Sequence, residues 1–137
     1  MTNHSLVDDY RRRAHGRRAT AIPALMAGAL YADVVRECQE ATELALKSMI
    51  RAAGHAVPHT HDVSDTLRAI ESDLESDARA CLARLVGISR DLRRDRELSF
   101  YGSEDLTPST FYQHADAARA IAMLDEVLEV IPRPAGP

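Results

Sequence analysis

Tryptophan is absent from this chain, and tyrosine and phenylalanine together make up only 4% of it. β-rich folds lean on aromatic and β-branched side chains to cover their pleated faces, so the shortage argues against them. No alternating apolar–polar run of strand length occurs, and there is no internal repeat. Long hydrophobic runs are missing as well: nothing approaches the ~20 apolar residues that a membrane span requires. Lysine is reduced to one residue, Lys47, so sixteen of the seventeen basic side chains are arginine. The two cysteines, Cys38 and Cys81, form no CxxC pair, and neither a glycine-rich phosphate loop nor a dinucleotide fingerprint is present. A formal net charge of −4 argues against a dedicated nucleic-acid binder.

What is present is helical. The chain has 137 residues, 45% of them hydrophobic and chiefly alanine, leucine and valine. That is enough for one domain with its own core, expected over residues 1–131, with 132–137 as a tail. Five helices account for the pattern. The first runs from about Leu6 to Ala27, with Leu6, Tyr10 and Ala14 on one side; Pro23 kinks or splits it and Gly28 marks the turn. The second runs from about Leu30 to Ala53. Its apolar arc holds Leu30, Val34, Cys38, Ala41, Ala45, Met49 and Ala52, and Gln39, Glu43 and Lys47 lie opposite. Gly54 stands where a left-handed C-terminal cap belongs. A third, short helix is capped by Asp62 or Ser64. The fourth spans about Glu75 to Phe100 and the fifth about Ala115 to Val130. The architecture predicted is an all-α antiparallel up-and-down bundle of four to five helices. Both cysteines fall on apolar stripes, as buried reduced thiols of a cytoplasmic protein do. The stretch from Arg11 to Ala32 imitates a secretory signal, but Pro23, Gly28 and the preceding Asp8 and Asp9 speak against one.

The fourth helix carries the sharpest irregularity. Cys81, Leu85, Ile88 and Leu92 form a narrow apolar stripe, and its continuation places Asp95, Arg96 and Ser99 where core residues belong. Arg90, Arg93 and Arg94 surround them. Either this end is solvated or paired with other helices, or it lines a cleft or a subunit interface; a buried lone charge is too expensive to leave without a partner. Elsewhere, His55, His59, His61 and Asp62 sit in one loop, but Asp62 has a competing use as a cap and no metal is expected there. The run RRRAHGRR offers guanidinium groups to phosphate, although arginines on a polar helix more often form a solvated face.

Together, the helix Q-x-x-x-E-x-A-L-K over 39–47, the loop G-x-x-x-P-x-x-H-D over 54–62, and the segment RRDRELSFYGSEDLTPSTFY over 93–112 resemble the HEPN-domain family. The resemblance covers most of the chain. It implies a four-to-five-helix bundle, usually dimeric, of the kind paired with a minimal nucleotidyltransferase in toxin–antitoxin-like systems. Many relatives resemble metal-independent ribonucleases with arginine, four to six residues, then histidine late in the bundle. That spacing is missing here, since no histidine lies between His61 and His114. The expectation is therefore a non-catalytic, dimeric protein that binds a nucleotide or other phosphate-bearing ligand without a cofactor. Arg90, Arg93, Arg94, Asp95, Arg96, Ser99 and Tyr101 would form the binding site or interface, and Glu43, Lys47 and His61 would shape the groove. The alternatives are a diverged ribonuclease toxin and a helical dimerisation module without ligand.

Overall fold

The computed structural model describes the backbone of residues 3–59, 63–101 and 107–134, and their side chains except at 3–5, 96–101, 108 and 109. All regular structure among the described residues is helical: α1 (Asn3–Ala19), α2 (Ala21–Ala27), α3 (Tyr31–Ala52), α4 (Ser64–Ala69), a 3-10 turn (Glu71–Asp73), α5 (Ser76–Ala80), α6 (Leu82–Tyr101), α7 (Pro108–Phe111) and α8 (His114–Glu129). No strand occurs among the described residues.

Helices α1, α3, α6 and α8 make the up-and-down bundle that the periodicity predicts. Their directions follow from the side chains that meet. Arg17 of α1 reaches Glu37 near the start of α3, whereas Arg11 shares a cavity with Met49 near its end, so α1 and α3 are antiparallel. Arg84 meets Glu126 and Arg119 meets Asp91, so α6 and α8 are antiparallel too. Helices α3 and α8 run parallel, with Tyr31 against His114 at one end and Met49 beside Ile131 at the other. α3 is the hub. It packs most extensively on α1, then on α8 and α6, and also touches α2 and α7. The core joins Ile22, Leu46, Ile50, Leu67, Leu85, Ile88, Leu92 and Leu124, all fully buried.

Helix α1 contributes little apolar surface. Among its described side chains Val7 and Ala14 are buried, with Tyr10 packed at the edge, so Val7 takes the place expected of Leu6. The fully buried methyl of Ala14 lets the two backbones approach closely, and ion pairs then tie α1 to its neighbours.

The long first helix is split, as Pro23 suggests, but three residues earlier, at Thr20. A continuous helix would drive the proline ring into the carbonyl of Ala19; the break puts Pro23 in the first turn of α2, where its missing amide proton is not needed. After α2 the left-handed residue is Ala29, at φ 57°, and not Gly28. The end of α3 has the same design with the expected glycine: Gly54 takes φ 87°, Gly54 N–H donates to Arg51 O and His55 N–H to Ile50 O. This is a Schellman cap.

Three further expectations change. The residue before α4 is Val63, with no side-chain cap; Ser64 is the first helical residue and is buried, and Asp62 lies outside the described residues. The fourth predicted helix is interrupted at Cys81, which turns that thiol to a half-exposed position where it donates to Asp77 O, and the core position passes to Leu82. Cys38 is buried as expected, and both thiols are free. Finally, α7 precedes the last helix, which is closed by a reciprocal capping box between Gln113 and Asp116.

Candidate functional site

Two polar assemblies stand out, one inside the hub helix and one where α6 meets α8. On α3, Gln39, Glu43 and Lys47 recur every four residues and so share one edge of the helix. Lys47 Nζ lies 2.6 Å from Glu43 Oε1, and Gln39 Nε2 donates to Glu43 Oε2 at 3.3 Å. Position opposite the main apolar arc implies an ordinary surface pair, and the structure corrects this: Glu43 is 7% exposed and Gln39 3%. The reason is the hub role of α3. With neighbours on several sides, its second face is covered as well. A surface pair of this spacing contributes only tenths of a kcal/mol, but a buried carboxylate needs its partners. Both oxygens of Glu43 are engaged.

At the second assembly, Asp95 is 19% exposed at its side chain and meets Arg119 of α8, whose Nη1 donates to Asp95 Oδ2 at 3.3 Å. The other arm of Arg119 reaches Asp91 Oδ2 at 3.4 Å, and Arg94 lies 3.9 Å from both carboxylates. Tyr112 is buried beneath them and its hydroxyl donates to the Asp95 carbonyl oxygen. Burial pushes the Asp95 carboxyl above the usual range, against the pull of Arg119 and Arg94. The Tyr112 phenol is pushed up to about 12, by burial first and by Asp95 and Asp116 after it.

So the misplaced ionic stripe of α6 is paired across helices at Asp95. Arg90 and Arg94 project from the outer face, and Arg93 is half-buried and already engaged. The side chains of Arg96, Ser99 and Tyr101, like all of His61, lie outside the described residues. Asp91, Tyr112 and Arg119 belong to the assembly without having been singled out from the sequence. Their only signal is the four-residue spacing of Asp91 and Asp95, which faces a lone arginine on the next long helix. Beside this clasp runs a shallow groove between α6 and α8, bounded by Arg84, Arg119, Met123 and Glu126, with Arg84 held on Glu126 at 2.6 Å. The same end of the bundle exposes Leu30 (49%) and Phe111 (48%), near the edge-on contact of Tyr31 with His114.

The histidine loop does not gather into a centre among the described residues. His55 Nε2 is 2.7 Å from Asp73 Oδ2, tying the cap of α3 to the 3-10 turn, and His59 is exposed. Nor is the arginine run of α1 a purely solvated face. Arg17 meets Glu37 at 3.3 Å, Arg18 grips Asp125 with two nitrogens, and His15 bonds Ile131 O at 2.9 Å. No helix among the described residues is long and apolar enough to cross a membrane.

No curated protein and no solved structure matches the chain. The model of the HEPN domain matches residues 7–133, nearly the whole length, in agreement with the helical bundle and with the motifs along α3 and α6. The chain belongs to the HEPN-domain family.

Proposed function

We propose that this HEPN protein is a non-catalytic, dimeric binder of a phosphate-bearing ligand such as a nucleotide, one member of a toxin–antitoxin-like pair with a nucleotidyltransferase. The observation that carries the binding reading is the pair of exposed guanidinium groups, Arg90 and Arg94, at the clasp of α6 and α8. Arg119 and Arg94 together balance Asp91 and Asp95, so Arg90 adds net positive charge on the outer face, and a guanidinium matches two phosphate oxygens at once. Two features support the absence of catalysis. The arginine-to-histidine spacing is missing from the sequence, and Glu43, the buried carboxylate of α3, has both oxygens held by Lys47 and Gln39. Nucleoside mono- and triphosphates should bind saturably to the dimer and R90A/R94A should lose them. A well-folded wild-type protein that binds none sinks the reading, and growth arrest on expression with cleavage of RNA would favour the diverged ribonuclease.

The ligand-free interaction module remains the second reading, favoured by the exposed Leu30 and Phe111 at the same end. A dimer that dissociates on L30E or F111E, with no response to nucleotides, supports it.

A further inference from the structure

At the end of the bundle opposite the clasp, a cavity of about 50 Å³ lies between α1, the end of α3, α5 and the end of α8. Its floor is apolar: Met49, Leu74, Ala78 and Ile131, each no more than 7% exposed. Size limits the occupant. An apolar cavity of ~150 Å³ takes up benzene, whereas ~10–15 Å³ holds one water. The apolar floor is therefore closer in size to a short branched alkyl group than to an aromatic ring.

The rim carries charge of both signs. Arg11 lines it, and its Nε is buried with no hydrogen-bond partner among the described residues. Asp73 and Glu75 line the same opening; Asp73 is held by His55 at 2.7 Å and Glu75 is exposed. A simple anion satisfies Arg11 but faces two carboxylates. A simple cation leaves the buried nitrogen of Arg11 unanswered. A small zwitterion with an alkyl tail satisfies both sides and the floor.

We infer that this cavity binds a small aliphatic α-amino acid, the alkyl group on Met49, Leu74 and Ile131, the carboxylate on Arg11 and the ammonium group toward Glu75. It is separate from the phosphate reading and does not depend on it.

The test is an NMR titration of the full chain with L-valine and L-leucine, alongside isovalerate, which lacks the ammonium group, isobutylamine, which lacks the carboxylate, and L-tryptophan as an oversize control. The expected result is saturable shifts for valine or leucine, confined to residues of the cavity, with affinity at least tenfold above the three controls. R11M should weaken valine at least tenfold. E75Q, a change at an exposed side chain that leaves the fold intact, should weaken valine but not isovalerate. Absence of saturation with either amino acid overturns the inference. So does equal affinity for isovalerate, which makes the site one for monocarboxylates, or an E75Q protein that binds valine as the wild type does.

Discussion

Replacing Lys47 by methionine takes the cation away from the buried Glu43 carboxylate, and this is the residue-scale change with the largest expected effect. Removing one member of a buried ion pair costs ~3–5 kcal/mol; because Lys47 keeps 20% of its side-chain surface in water, K47M should cost about 2–3 kcal/mol in urea unfolding. The double variant E43Q/K47M should cost less than K47M alone, since it removes the stranded charge together with its partner; strictly additive losses would contradict the pairing. Asp95 acts in the opposite sense. Its folded carboxyl titrates above its unfolded value of 3.8, so the folded state resists ionisation. This penalty is absent below that unfolded value and develops as pH rises through it toward the raised value. D95N should therefore gain stability relative to the wild type as pH climbs out of the acid range, with the Arg119 contact weakened at every pH. A stability difference that falls with rising pH would contradict the burial. From the sequence, both carboxylates were visible but neither environment was settled. Asp95 interrupts a core stripe, which left a solvated end, a partner on another helix and a cleft or interface all open. Glu43 sits opposite the main stripe, and a helical wheel records spacing on one helix without the neighbours that cover its other side.

At the scale of elements, the two Schellman ends offer an internal comparison. Ala29 at φ 57° and Gly54 at φ 87° stand at equivalent places after α2 and α3. A Cβ added at Gly54 meets nothing within 4 Å, so G54A isolates the backbone term and should cost about 1 kcal/mol. A29G should gain roughly 0.5–1 kcal/mol by relieving the same strain. Thermal unfolding of both variants checks the pair, and a stabilising G54A would refute the cap. The limits of α3 were legible because period and Gly54 agree there, and the end of α8 because Pro132 follows its period. The division at Thr20 was legible only as a consequence of Pro23, and its position depends on which turn the chain gives up. The break at Cys81 and the short α7 leave no local mark, because each side of the break keeps its apolar spacing and four residues are too few for a period.

For the whole molecule, the depth of the hub helix makes Cys38 a reporter of global opening. It is wholly buried, and burial pushes its thiol up to about 12, so only on the order of one in ten thousand is ionised at pH 8. Cys81 is half-exposed, its thiol also raised by burial but far nearer the surface. A thiol reagent should label Cys81 in the native protein and Cys38 only at the rate of unfolding; comparable labelling of both would mean that α3 is not enclosed. The all-α bundle followed from composition and period, and the family from motifs spread over α3, the following loop and α6. The proposed phosphate site was less legible, because arginine spacing alone does not say which guanidinium groups are already taken. The most direct test of the account is calorimetric titration of the protein with nucleoside phosphates, for wild type and R90A/R94A, at low and high salt. The account predicts saturable binding that weakens with salt and is lost in the double variant, which still folds. Wild-type protein that takes up no nucleotide while fully folded, or a double variant that binds as well as the wild type, would contradict it.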